Sequence, residues 1–261
     1  MSQGGALPTT IDQVIARLSG IVDDAAQRGS RFGYFAALYN RVTMAVRDGI
    51  RAGRFDDNAR MERLDVLFAN RYIEAYDTWR SGHAPSASWQ TAFVAAQRPD
   101  LSVLQHLMLG MNAHINLDLG IAAATVAPGA SIHDLHADFN RINEVLASLL
   151  PAVEGQLGDI SPVLDAAVRV GDHLDNLDDR VSNFSMEQAR DGAWRFAVRL
   201  SDIDSLLLRQ VAIRARDGVV AALGVTLQKP GPMSLALGGA DVASVTANIR
   251  ILARDEDSAT V

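Results

Sequence analysis

Apolar positions recur every three to four residues along most of this chain, and the recurrence weakens only near its end. Ile11, Val14, Ile15, Leu18, Ile21 and Val22 fall on one helical face, with Thr9 or Thr10 as N-cap and Gly29 as terminator. A second helix is predicted over about Arg31–Ala52, with Phe35, Leu38, Val42, Met44–Val46 and Ile50 turned to a core and Gly53 closing it. The acidic pair Asp56–Asp57 suits the start of a third, reaching about Trp79, whose stripe runs through Leu64, Leu67, Phe68, Tyr72, Ile73 and Tyr76. Residues 81–88 (SGHAPSAS) read as a loop, and Trp89–Ala96 as a short helix.

Pro99–Asp100 opens a long apolar helix over Leu101–Ala127, and Pro128–Gly129 stops it. Ser131 is placed to cap a helix from Ile132 to about Leu150, and Ser161–Pro162 opens another with proline at the first helical position. Two more follow, about Ser185–Ser201 and Asp204–Leu223. Lys229–Pro232 then breaks the pattern, after which MSLAL and VTANIRIL alternate in a weakly strand-like way. A hairpin, an arm onto a partner subunit and a tail without stable structure all fit that alternation. The expected fold is all-α: one bundle of about eight helices over residues 1–226, with a short irregular or strand-like tail or small hairpin over 227–261.

The 261-residue chain is long enough to bury a substantial core, and its 48% apolar content excludes wholesale disorder. A net charge of −7, with no basic cluster longer than a dipeptide, argues against nucleic acid as a partner. Without cysteine there is no disulfide, thiolate nucleophile or zinc finger. The opening residues lack a basic start followed by an apolar run, so no signal peptide is read, and a cytoplasmic protein is expected. The central helix is long enough to span a bilayer, but its polar centre makes that costly, so no membrane span is expected.

That polar centre is the main candidate for chemistry. His106, Asn112, His114, Asn116 and Asp118 interrupt the most apolar helix of the chain. Each buried polar group costs about 1–3 kcal/mol when unpartnered, so five of them need partners or a purpose. His114 and Asp118 lie four residues apart on one face. At that spacing a helix offers two ligands to one metal ion, or a base and its orienting carboxylate. A divalent Zn, Fe or Mn ion held by His114, Asp118 and a further group such as His106 is one version. In the other, Asp118 orients His114 as general base and Asn116 or Asn143 donates to developing negative charge.

The following helix contributes Asp138 and Asn143 beside its core stripe, Leu135, Phe139, Ile142, Leu146 and Leu149. If the two helices form an antiparallel hairpin, Asp138 comes level with Asp118 or His114. Arg31, Arg41 and Arg71, near Tyr34, Tyr39, Asn40, Asn70 and Tyr72, suit either a carboxylate or phosphate clamp or surface salt bridges. Asp165, Asp172, Asp175, Asp178 and Asp179 read mainly as a solvated face with Arg180 as counter-charge, and Asp172–His173 as one further ligand source. Dinucleotide, P-loop, serine-hydrolase and metalloprotease signatures are absent, as are the Glu-x-x-His pairs of di-iron bundles.

The segments RFGYFAALYNRVTMAV, RMERLDVLFANRYIEAY, HLMLGMNAHINLDLGIAA and DFNRIN resemble a bacterial family of uncharacterised all-helical proteins over roughly residues 30–200, with NAHINLDLG the most specific run. That resemblance implies a fold and no activity. The H-x-x-x-D of His114 and Asp118 is also similar to helices of zinc-dependent phospholipase C and P1-type nucleases, but Ala122 stands where their next histidine falls. The sequence leaves three function classes open: an enzyme acting on a small, largely apolar metabolite around His114 and Asp118, with or without a metal; a non-catalytic helical ligand-binding protein; and a structural or interaction protein, in which a homo-oligomer would engage the tail.

Overall fold

A computed structural model of the protein describes residues 5–161, 186–229 and 244–254. Among these residues every regular element is helical: α1 (Ile11–Arg28), α2 (Phe32–Arg51), α3 (Asn58–Arg80), α4 (Ala87–Ala95), α5 (Val103–Ala113), a π-helical turn (His114–Leu119), α6 (Gly120–Val126), a 3-10 turn (Gly129–Ser131), α7 (Ile132–Ile160), α8 (Met186–Ser201), α9 (Leu206–Leu227) and α10 (Val245–Leu252). The all-α bundle expected from the periodicity is therefore present. The aspartate-rich run from Asp165 to Asp179, Arg180, His173 and the helix expected from Ser161–Pro162 lie outside the described residues.

Local chemistry sets most boundaries. The Thr10 hydroxyl caps α1 by accepting from the Gln13 amide, and Gly29 closes the helix at φ +59°. Asp57 accepts from the Arg60 amide at the start of α3. Ser102 and Gln105 form a reciprocal capping box on α5. Helix α4 begins two residues earlier than its sequence pattern implies. Its Ala87 and Ser88 amides donate to the Asp217 carboxylate of α9 at 2.7 and 2.9 Å.

Helices α5 and α6, joined through the π turn, form one buried axis. Around it α2, α3, α4, α8 and α9 pack, while α1 packs on α2. Three differences from the sequence expectation matter here. The axis is not a regular α-helix throughout, because a wider turn falls where its two halves meet different partners. Asn112, just before it, donates to the Val220 carbonyl of α9 at 2.9 Å. Gly120, just after it, lies so close to α8 that a Cβ would sit 2.9 Å from the Ala193 carbonyl oxygen. Arg216 of α9 donates at 2.8 Å to the Asn116 carbonyl within the turn.

Second, α7 continues through Pro151 to Ile160 instead of ending near Leu150. The apolar spacing persists through Val153, Leu157 and Ile160, and the small Ala147 stands where the proline ring presses on the preceding turn. Ser131 does not cap this helix, since its hydroxyl donates back to the Pro128 carbonyl at 2.7 Å. Third, VTANIRIL is a helix rather than a strand. Ser244 caps it, and Asn248, Ile249 and Leu252 bury one face at helical spacing against α1, α2 and α7. MSLAL lies outside the described residues.

Two glycines test this packing. Gly120→Ala would place a methyl 2.8 Å from a Phe196 ring carbon as well as against Ala193. We expect it to cost about 1–3 kcal/mol and lower Tm by roughly 3–10 °C in a thermal melt. Gly20→Ala, inside α1 with nothing near its added methyl, should leave Tm unchanged or raise it.

Candidate functional site

Asp118, in the π turn, is fully buried and accepts three hydrogen bonds. The Trp89 indole N–H of α4 donates at 2.7 Å, the Arg71 Nε of α3 at 3.1 Å, and His114 Nδ1 lies 3.4 Å away. One carboxylate thus joins α3, α4 and the central axis. Arg71 is its counter-charge rather than part of an anion clamp. Arg41 likewise serves packing, donating to Gln156 Oε1 at 2.5 Å.

His114 stands in an aromatic box. Its ring stacks on Phe68 at 3.6 Å between centroids and 7° between planes, and meets the Tyr39 ring edge-on at 4.4 Å. Burial lowers the imidazole pKa against the pull of Asp118, which favours the neutral ring. With Nδ1 turned to Asp118, the buried Nε2 has no hydrogen-bond partner.

Beside this box lies a cavity of about 640 Å³ between α7 on one side and α2, α3 and α5 on the other, with Met186, Glu187 and Arg190 of α8 also lining it. Its wall is largely aliphatic, with Leu38, Val42, Leu107, Met111, Ile142 and Leu146 prominent. Along α7 the inward stripe of Ile142, Leu146, Leu149, Val153 and Leu157 is only half-buried, because it faces this hollow instead of opposing side chains.

Four buried polar groups stand in that wall: Tyr39, Asp65, His114 and Arg190. The Tyr39 hydroxyl, one Asp65 carboxylate oxygen, His114 Nε2 and Arg190 Nε all lack hydrogen-bond partners. Burial pushes the Asp65 carboxyl up to about 7, helped by the nearby charge of Glu62. Burial also raises the Tyr39 phenol, with Asp65 and Asp118 adding to the effect and Thr43 opposing it. The Thr43 hydroxyl itself donates to the Tyr39 carbonyl at 3.0 Å.

Of the residues singled out from sequence, His114 and Asp118 meet as their spacing implies. Asn143 lies on the exposed edge of the cavity. Asn116 is instead structural, donating to Asn112 Oδ1 at 3.1 Å. His106 is absent from the cavity wall and packs near the Tyr34 ring, and burial lowers its pKa to about 4. Among the described residues no group of three or more His, Asp or Glu stands close enough to hold a metal ion.

Asp138 does not meet Asp118 or His114. The axis turns by 118° between Val103–Val126 and Gly129–Ile160, so the central helix and α7 are not an antiparallel hairpin. Asp138 accepts from the Asp56 and Asp57 amides at 2.7 and 3.0 Å and from Arg60 and Arg141, fastening the start of α3 to α7. Burial opposes its charge, but these four donors outweigh burial and hold the carboxyl below its usual range.

The sequence reading missed Asp65 and Arg190. Both carried a signal: Asp65 shares a stripe with Phe68 and Tyr72, and Arg190 shares one with Ala193 and Ala197. A charged residue inside an apolar stripe marks a buried charge or a ligand contact.

Fold and site together define an all-helical protein with an aliphatic cavity that presents a few unsatisfied polar groups. The chain belongs to the family of unknown function DUF5995, whose model matches residues 11–230. No curated protein and no solved structure matches it. Among the described residues, no single helix is long and apolar enough to cross a membrane.

The two aspartates on this site predict opposite behaviour. Asp118→Ala strands buried donors on Arg71 and Trp89 and should cost about 3–5 kcal/mol in urea unfolding, whereas His114→Phe, which keeps the ring stack, should cost about 1 kcal/mol or less. For Asp65 the folded pKa lies above the unfolded one, so the wild type loses stability as pH rises from about 4 to about 7. Asp65→Asn should therefore be more stable than wild type by about 2–4 kcal/mol at pH 8 and about equal to it at pH 4.

Proposed function

We propose that this protein binds a small, largely apolar molecule in the cavity beneath α7, and that a polar group of that molecule meets Tyr39, Asp65 and His114. The observation that carries this reading is the coincidence of the hollow with unpaired buried polar atoms. Among the described residues eleven buried side-chain nitrogen and oxygen atoms lack a partner; four of them belong to residues of this one wall and seven to residues outside it, whereas Asp118 accepts three hydrogen bonds and Asp138 four. Leaving several groups unpaired in the wall of one cavity costs about 1–3 kcal/mol each, and a ligand that donates and accepts there offsets it. The volume falls in the range of sites for metabolite-sized molecules.

A second reading, catalysis on the bound molecule, is favoured by the geometry of His114. A neutral imidazole that offers Nδ1 to a carboxylate leaves Nε2 as an unpaired acceptor, on a ring that lines the cavity beside a phenol. General-base catalysis uses such an arrangement, with Tyr39 as the neighbouring proton donor. This reading needs no metal and uses Asp118 only to orient the ring.

Titration of the purified protein with a neutral, environment-sensitive naphthylamine dye tests the binding reading. We expect saturable binding with a Kd of about 10 µM or tighter. Ile142→Trp, which fills the hollow, should abolish the signal while the protein stays folded by circular dichroism. Dye binding unchanged in that variant would refute the assignment of the cavity. Incubation with an identified ligand, followed by mass analysis, tests catalysis. Conversion lost in His114→Gln with binding retained supports the second reading; an unaltered ligand refutes it.

A further inference from the structure

Arg190, like Arg41 and Arg216, is held by a neutral acceptor instead of a carboxylate, but it also lines the cavity. Arg17, Arg60, Arg71 and Arg141 each lie against a carboxylate within hydrogen-bond reach. Arg190 is buried in the cavity wall, stacks over the Phe139 ring at 4.7 Å and donates through Nη2 to the Phe139 carbonyl at 2.5 Å. Its Nε has no partner, and among the described residues no carboxylate forms an ion pair with it. Glu187, one turn earlier on α8, also borders the cavity but is exposed, as is Glu154 of α7.

A buried guanidinium pressed on an aromatic face keeps its planar edge presented and gives up much of its hydration. Both make it a strong receptor for a carboxylate, which such an edge engages through two parallel hydrogen bonds. Burial lowers its pKa to about 10, which leaves it cationic at neutral pH. Most of the remaining wall is aliphatic.

Resting on the cavity reading above, we infer that the occupant is an aliphatic carboxylic acid, with its carboxylate on Arg190 and its chain along the inner stripe of α7. The groups at Tyr39, Asp65 and His114 then meet a neutral polar substituent or the chain terminus. Asp65 disfavours a second anion there, so the acid has one orientation. A free fatty acid and an acid-bearing terpenoid share this chemistry.

The test compares dodecanoate, dodecanol and dodecylamine as competitors of the naphthylamine dye at neutral pH. Dodecanoate should bind about 10–100-fold more tightly than dodecanol. Arg190→Gln should abolish that preference while leaving dodecanol affinity unchanged. Equal binding of acid and alcohol to the wild type overturns the anion site and leaves the cavity reading standing. Preference for the amine overturns it in favour of an acidic site at Asp65. Failure of all three to displace the dye, or of the dye to bind, defeats the cavity reading itself.

A preference for acid that survives in Arg190→Gln removes Arg190 from the assignment. Should that variant not fold, carbon-13 NMR of carboxyl-labelled dodecanoate bound to the wild type decides the matter. A carboxylate on Arg190 stays ionised below about pH 4, whereas one facing solvent or Asp65 protonates at or above its ordinary pKa.

Discussion

The buried carboxylate of Asp118 is the constraint on which the arrangement depends. It sits where the central axis widens into a π turn, and it draws an arginine from α3, an indole from α4 and an imidazole from its own turn onto two oxygens. A charge this deep persists only when its lone pairs are occupied, so its three partners are held as firmly as it is. Two consequences follow. Trp89 is pulled into the aromatic layer with Phe35 and Tyr72. His114 is turned so that one nitrogen faces the carboxylate while its ring completes the stack on Phe68 at the cavity wall.

Two styles of buried polarity coexist in the molecule. Asp118 and Asp138 are saturated by donors from other elements, and each acts as a fastener between helices. Asn112 and Arg216 fasten α9 to the central axis in the same way. Tyr39, Asp65, His114 and Arg190 differ, since each keeps a buried atom unpaired and all four stand around one hollow. The contrast is physical rather than statistical: a fold able to satisfy Asp138 with four donors has the means to satisfy Asp65. Leaving the cavity groups unpaired lowers stability, and that cost is what the proposed ligand would offset.

Much of the fold was legible in the sequence because helices announce themselves locally. Caps such as Thr10 and Asp57, the terminator Gly29 and the apolar stripes of α1 to α3 act within one or two turns, and the structure follows them. The misreadings share a cause. Pro151 reads as a stop and VTANIRIL as a strand when neighbours are ignored. Burial of Ile160, and of Ile249 and Leu252, overrides both signals. The π turn likewise has no signature in periodicity, because it answers to anchors on α8 and α9 more than seventy residues away.

The sequence by itself determined the helical class, the central axis and the pairing of His114 with Asp118, since a four-residue separation on a helix is a fixed distance whatever surrounds it. It could not determine what each polar residue faces. Asp138, Asn116 and Asp65 all look alike along the chain, as polar positions beside an apolar stripe. The angle at which α7 leaves the central axis, and the helices it thereby meets or fails to meet, made the first a clamp and the third the wall of a cavity, while Asn116 bonds Asn112 one turn back on its own axis. Helix direction is set by the packing of whole faces against one another, a sum over many distant contacts that no short window of sequence contains.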